Sequence, residues 1–324
     1  MSKNTKRLII LTAGLLFISW LMSGRFTMPF SVFDFWNKNV SHGEGKTFSV
    51  SKNISAIDII SQTGDIRFEK SNDRSAKVIW SGNSSMKFSV RSGNGRLQIR
   101  ENYKLPWFLR IGLNIKRAEI RVFLPAGTYK ELDIKTDTGS ISVPAGFNFS
   151  DAELETDTGS VDFRASVSKK LKIHTDTGRI ACSGGKPEDL ELRSDTGQID
   201  LSGVKGSGGI RLKTDTGKVA VTDVSCGKLS AESDTGSLSL TNVQAAGKMD
   251  LETDTGAITL NRCDAQSLKI ESDTGSVKGT LLSDKIFKVR TKTGKVDVPL
   301  TDRGGYCEIK TDTGNITIMV SGNR

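Results

Sequence analysis

The sequence predicts an all-β protein whose main part is a single-stranded parallel β-solenoid, preceded by one N-terminal transmembrane helix. Three observations predict this fold class. The tetrapeptide [ST]-[DK]-T-G recurs ten times, with glycines 19 or 20 residues apart from Gly139 to Gly314. Apolar and polar residues alternate on both sides of each copy, which is typical of strands with one buried face. A stretch without charged residues, 8–24, follows three basic residues at the N-terminus.

Composition supports a turn-rich β protein. The chain has 324 residues, with 33 Gly, 6 Pro and 36% hydrophobic residues. This hydrophobic fraction is too low for a polytopic membrane protein and too high for a disordered chain. Only two histidines are present, which argues against both a histidine-based metal centre and a histidine-based catalytic relay. The net charge of +9 comes with no basic stripe of stacking aromatics, so we expect no nucleic-acid partner.

The N-terminal stretch indicates a membrane anchor. Basic residues in 1–7 place that short tail in the cytoplasm, and 8–24 is just long enough to span the bilayer. A cleaved signal peptide is the alternative, but no A-x-A-like cleavage site follows. We therefore expect a single-pass protein of the bacterial cell membrane, bound to the lipid bilayer through this helix. Residues 25–45 form a linker, and everything after it lies outside the cytoplasm.

Residues 46–130 predict longer, irregular strands that form the first coils and their cap. Residues 92–95 (SGNG) predict a hairpin turn. One segment, 103–117, has no acidic residue and several large apolar side chains. It is either a strand pair whose aromatics cap the solenoid or an interfacial, partner-binding patch. The patch residues are Trp107, Phe108, Arg110, Lys116 and Arg117.

Residues 131–324 predict the regular repeat. Each copy reads as strand, tight corner at the glycine, second strand and short return. One such unit cannot bury its inner face alone, so successive coils must stack about 4.8 Å apart. Right-handed winding is expected because parallel crossovers are almost always right-handed. A third apolar position lies seven residues after the glycine, at Val204, Val224, Val243, Cys263 and Leu282.

Cysteine spacing gives no metal or disulfide pattern. Cys182, Cys226, Cys263 and Cys307 include no C-x-x-C pair and occupy different phases of the repeat. We expect them to be small buried side chains.

The D-T-G corner resembles the active-site signature of aspartic proteases, but it does not predict that activity. Such a protease needs two carboxylates across a two-fold cleft, whereas stacked coils place the corner carboxylates in a row. Neighbours 4.8 Å apart repel by roughly 1 kcal/mol in water. Corner amides or bound Ca²⁺ would relieve this repulsion. The row comprises Asp137, Asp157, Asp176, Asp195, Asp215, Asp234, Asp254 and Asp273.

Regular spacing also argues against catalysis. A polysaccharide-active β-helix enzyme, the alternative function, builds its cleft from long loops, and intervals of 19 or 20 residues leave no room for them. His174 falls in an outward row of mixed charge that is most simply a solvated face. We expect no catalytic residue and no cofactor beyond the Ca²⁺ alternative.

A membrane anchor, irregular strands and repeated T-D-T-G-x-I-x-L units resemble the bacterial "putative adhesin" β-solenoid family that includes LiaG-like envelope proteins. The resemblance covers about residues 46–324. It implies a solenoid fold and an extracytoplasmic, envelope-associated role. We expect a non-catalytic adhesin or a scaffold for envelope interaction or stress, with an envelope polymer or a membrane protein as partner. Only ten residues follow Gly314, so an uncapped end could pair with another copy, and a self-assembling filament is a further alternative.

Overall fold

Twenty-five β-strands make up the described part of the chain. The computed structural model describes residues 46–50, 54–72, 75–82, 86–103 and 118–321. These residues form one hydrogen-bonded sheet system that winds into a β-solenoid of about ten turns, as the repeat predicts. Among them no helix is long and apolar enough to cross a membrane. Residues 8–24 lie outside the described ranges.

The first seven strands precede the regular repeat. They are β1 (Lys46–Val50), β2 (Ala56–Ser61), β3 (Gly64–Lys70), β4 (Ala76–Ser81), β5 (Met86–Gly93), β6 (Arg96–Tyr103) and β7 (Ala118–Leu124).

In the repeat, strands before and after each corner alternate along the chain. They are β8 (Thr128–Thr138), β9 (Ile141–Val143), β10 (Asn148–Thr158), β11 (Val161–Phe163), β12 (Ser166–Thr177), β13 (Ile180–Ser183), β14 (Asp189–Thr196), β15 (Ile199–Ser202), β16 (Gly209–Thr216), β17 (Val219–Cys226), β18 (Lys228–Thr235), β19 (Leu238–Thr255), β20 (Ile258–Thr274), β21 (Val277–Leu281), β22 (Lys285–Thr293), β23 (Val296–Asp297), β24 (Gly305–Thr313) and β25 (Ile316–Val320).

Equivalent residues of neighbouring coils lie side by side, which builds one continuous core. We name each coil by the number of its corner glycine. Leu154 in coil 159, for example, pairs with Ile134 on one side and Ile173 on the other, and all three are fully buried. The period-two pattern of the sequence thus becomes an apolar column along the stack. Because each unit buries its face only against its neighbours, stability depends on stacking.

The coils follow chain order in the middle of the stack but not at its ends. From coil 139 to coil 275 each coil contacts the next one in sequence. At the C-terminal end, however, β20 pairs with β24 and β24 pairs with β22, so coil 314 lies between coils 275 and 294. At the N-terminal end β2 lies between β6 and β8. The prediction that successive coils stack is therefore wrong at both ends.

Side-chain composition explains the C-terminal exchange. Coil 314 contributes Cys307 and Ile309 as fully buried residues, so it is stable with a neighbour on each side. Coil 294 carries a basic outer strand and leaves Val296 47% exposed. Lysine-rich strands are suited to the edge of a sheet because their charge discourages further pairing.

Antiparallel strands cover the opposite end. β4 pairs antiparallel with both β1 and β7, and β5 pairs antiparallel with β6. The β5–β6 hairpin turns at Asn94 and Gly95, whose φ values of 50° and 74° fit a tight two-residue turn. The hairpin predicted at residues 92–95 is confirmed.

A second corner lies six residues after the first. Residues at this point have positive φ in five successive coils: Gly184, Gly203, Asp223, Asn242 and Arg262. The next residue turns inward, as predicted for Val204, Val224, Val243 and Cys263. In coil 275 the prediction is off by one residue, because Leu281 pairs with Cys263 and is buried whereas Leu282 is half-buried.

Candidate functional site

The first residue of the corner motif holds neighbouring coils together. Thr214 Oγ1 donates a hydrogen bond of 3.0 Å to the carbonyl of Gly197 in the preceding coil. Equivalent Ser or Thr hydroxyls make the same bond at Thr156, Thr175, Ser194, Ser233, Thr253, Ser272, Thr291 and Thr311. The corner glycine amides add a backbone ladder in the opposite direction, as from Gly217 to Thr235. This inter-coil hydrogen bond requires a hydroxyl donor, which explains why the first residue of the motif is Ser or Thr.

A buried carboxylate ends this ladder at the degenerate first corner, residues 61–64. Glu101, 3% exposed, accepts hydrogen bonds from the backbone amides of Gln62 (2.9 Å) and Thr63 (3.2 Å). It also accepts from the hydroxyls of Ser61 and Thr63. These four donors satisfy the hydrogen-bonding requirement of the buried carboxylate. Glu101 therefore has a structural role that the repeat pattern did not predict.

The corner aspartates point away from the core. Asp195 and Asp215 are half-buried, and the other six members of the predicted row are exposed. Asp195 Oδ1 accepts hydrogen bonds from the guanidinium of Arg193 at 3.1 and 3.2 Å. At the C-terminal end Lys292 Nζ lies 2.6 Å from Asp312, and this contact lowers the pKa of Asp312. Side-chain cations therefore relieve the repulsion at Asp195 within the row and at Asp312, the corner aspartate of coil 314.

One group of potential metal ligands stands out within the described ranges. His174 Nε2 lies 3.5 Å from Asp176 Oδ1 and 3.8 Å from Asp195 Oδ1. The three ligand atoms lie within 4.8 Å of one another. No other group of three His, Cys, Asp or Glu side chains in those ranges meets this condition. Two members belong to the predicted Asp row, and His174 was assigned from the sequence to a solvated face.

Around that group, the outward row forms ion pairs between coils. Lys135 pairs with Glu155 at 3.0 Å, and Lys213 pairs with Glu232. These contacts raise the pKa of both lysines, with the hydrogen bond to the glutamate as the largest cause. The row is therefore a partly solvated face of matched charges, as the sequence indicates.

A shallow groove of about 470 Å³ crosses the return segments of five coils. The groove is lined by Gly185 and Gly203, by the apolar residues Phe149 and Val167, and by four residues that carry hydroxyl or amide groups: Thr128, Asn148, Ser166 and Ser168. Two lysines, Lys186 and Lys205, lie at one end. Both are exposed, and neither forms an ion pair within the part of the chain that the structure describes. Five coils at a spacing of 4.8 Å make the groove about 19 Å long.

All four thiols are free and buried, which confirms their predicted role as small core side chains. Burial raises the pKa of Cys182 and of Cys307 to about 12 and that of Cys226 to about 11. Burial is also the largest cause of the raised pKa of Cys263. Thiolates are the reactive form, so these cysteines are chemically inert at neutral pH.

The predicted interfacial patch lies outside the described residues. Trp107, Phe108, Arg110, Lys116 and Arg117 all fall in 104–117, so the patch stays a prediction. The groove and the His174 group were missed by the sequence reasoning. A signal for the second was present, because His174 and Asp176 are two residues apart on one strand and Asp195 occupies the equivalent corner of the next coil.

Fold and surface define a β-solenoid repeat protein with polar, ion-paired faces and a groove across its coils. The chain belongs to the Toastrack DUF4097 family, whose model matches residues 54–213 and 207–324. No curated protein matches the sequence.

The chain is also similar, at TM-scores below 0.5, to solved structures from two bacterial species. A "putative adhesin" from Bacteroides fragilis is 15% identical with a TM-score of 0.40, covering 86% of this chain and 98% of that one. A "putative adhesin" from Parabacteroides distasonis is 9% identical with a TM-score of 0.45, covering 85% and 97%. A "putative lipid binding protein" from the same species is 11% identical with a TM-score of 0.40, covering 85% and 97%.

Proposed function

We propose that the chain is a non-catalytic binding module that engages an anionic polymer of the cell envelope through the groove across its return segments. The observation that carries this proposal is the position of Lys186 and Lys205, which form no ion pair with any described residue, at the end of a long groove whose lining includes hydroxyl- and amide-bearing residues. Such a surface offers charge attraction and hydrogen bonds at a repeat of about 4.8 Å, which suits an extended chain carrying hydroxyl and acidic groups.

The module is held at the outer face of the bacterial cell membrane by residues 8–24. The uncharged length of this stretch and the basic residues before it support a single-pass anchor with residues 46–324 outside. A rigid stack of coils then presents the groove to the envelope.

Co-sedimentation of the detergent-solubilised full chain with isolated cell-wall sacculi tests the binding. Replacing Lys186 and Lys205 together by Gln should reduce saturable binding about tenfold or more, and the loss should shrink as salt is raised, because screening already weakens the wild type. The matched control replaces Lys218 and Lys278, two exposed lysines on the post-corner face, by Gln with the same change in net charge. Equal loss in both pairs would mean that net charge, not the groove, drives binding.

Labelling of intact cells tests the location. The four native thiols are buried with raised pKa values, so a Lys218→Cys variant should be the main target of a membrane-impermeant maleimide. Labelling of that variant only after cell lysis would contradict an extracytoplasmic solenoid.

A further inference from the structure

We propose that His174, Asp176 and Asp195 form a surface zinc site that joins coils 178 and 197 and leaves one coordination position open to an anionic oxygen ligand. His174 and Asp176 lie on β12, and Asp195 lies on β14 of the next coil. The strands pair in register, with His174 opposite Arg193, so the two carboxylates approach the imidazole from its own strand and from the neighbouring strand.

The distances fit tetrahedral zinc. Zinc binds imidazole nitrogen and carboxylate oxygen at about 2.0–2.2 Å, which places two ligands of a tetrahedron roughly 3.3–3.5 Å apart. The separations of His174 Nε2 from Asp176 Oδ1 and Asp195 Oδ1 are 3.5 and 3.8 Å. All three atoms lie within 4.8 Å of one another, so binding of one ion requires side-chain rotations that bring them closer together. A mixed set of one imidazole and two carboxylates also suits zinc better than calcium, which prefers oxygen ligands alone.

The environment of the imidazole nitrogen also indicates a metal ligand. His174 Nε2 is buried and makes no hydrogen bond with any described residue, although two carboxylates lie within 4 Å. A buried nitrogen without a partner is unfavourable, and a coordinated cation would satisfy it. The His174 side chain as a whole is 29% exposed and Asp176 beside it is 55% exposed, so the cluster lies at the surface of the solenoid.

Neighbouring charges define what the ion must compete with. Glu155, in register with His174 on the other side, is already paired with Lys135. Arg193 donates two hydrogen bonds to Asp195 Oδ1, the same oxygen that lies 3.8 Å from His174 Nε2. The guanidinium therefore competes with zinc for this oxygen.

Three protein ligands leave the fourth tetrahedral position for water or an incoming oxygen ligand. Asp176 is 55% exposed, so this position faces solvent and not the core. A carboxylate or phosphate group is the chemical class that would bind there. The site would thus add a point of strong anion recognition on a face that otherwise carries matched ion pairs.

Calorimetric titration of the metal-free, detergent-solubilised full chain with Zn²⁺ tests the site. We expect one saturable site whose affinity falls about tenfold or more in His174→Gln, Asp176→Asn and Asp195→Asn. Two controls should bind like the wild type: Asp254→Asn, an exposed corner aspartate of another coil, and His42→Gln, which removes the only other histidine. Arg193→Gln should tighten binding because it removes the competing cation.

Absorption spectra of Co²⁺ in place of zinc report the geometry directly. The wild type should show the intense visible bands of tetrahedral cobalt, and inorganic phosphate should shift them by entering the open position. Unchanged zinc affinity in His174→Gln, or no saturable binding by the wild type, would overturn the site. Calcium binding that Asp254→Asn weakens and His174→Gln does not would overturn it in favour of a carboxylate ladder.

Discussion

Replacement of a single corner glycine tests how tightly the coils are stacked. In Gly217→Ala the new Cβ would lie 2.0 Å from the carbonyl oxygen of Gly197 and 2.6 Å from its carbon. An ordinary carbon–oxygen contact is more than 1 Å longer, so coils 197 and 217 would have to separate locally. Two inter-coil hydrogen bonds would then be lost: Gly197 amide to Thr216 carbonyl, and Thr214 hydroxyl to Gly197 carbonyl.

The expected loss of stability is large. Two hydrogen bonds are worth about 1 kcal/mol each, and overpacking of this kind costs about 1–3 kcal/mol more. We expect Gly217→Ala to lower the free energy of unfolding by about 3–5 kcal/mol, measured by urea unfolding with far-UV circular dichroism. Gly209→Ala, in the same coil, is the matched control, because its Cβ would meet nothing closer than Asp189 Oδ1 at 3.9 Å. Equal unfolding midpoints for the two variants would refute the close approach of the corners.

Three further predictions follow from single contacts. Thr214→Val should cost about 1–3 kcal/mol by leaving a buried carbonyl without its donor, whereas Thr216→Val, at an exposed position, should not change the urea midpoint. Arg262→Gly should raise stability by about 1 kcal/mol because the φ of 55° is strained for arginine, and a lowered midpoint would contradict this. Burial, followed by the Asp58 carboxylate, raises the pKa of Asp133, so its contribution to stability is present in acid and lost as pH rises through the raised pKa. In Asp133→Asn the melting temperature should fall less steeply with rising pH than in the wild type. An unchanged pH dependence of the melting temperature would assign the effect to other groups.

The regular coils were predictable because their signal repeats. The buried alternation at Leu132 and Ile134 recurs in every copy except coil 294, where Phe287 and Val289 are half-buried. Each copy repeats the same physical requirement for an apolar inner face. The motif glycine likewise identified the corner. The assignment of the corner contact was less accurate: the hydroxyl of the first motif residue, such as Thr214, makes the inter-coil bond, and the aspartate points to solvent.

Properties that depend on contacts between distant parts of the chain could not be predicted from the repeat pattern. The order of coils 294 and 314 follows from which of two similar coils tolerates an open edge, a difference of a few side chains such as Val296 and Ile309. The approach of His174 to Asp195 requires the exact register of two strands. The groove is formed by return segments, whose irregular sequences carry no periodic signal.

The exchange of order at both ends has a consequence for how the protein can change in length. Additional copies after Gly314 would have to continue from coil 314, which is enclosed between coils 275 and 294 and so has no free edge on which a new coil could stack. The same holds for the first coil, enclosed between β6 and β8. Duplication or deletion of repeats is therefore compatible with the architecture only in the interior, between coils 139 and 275. The two ends act as fixed terminators, so variation in the number of copies would lengthen or shorten the reach of the protein while leaving both end surfaces unchanged.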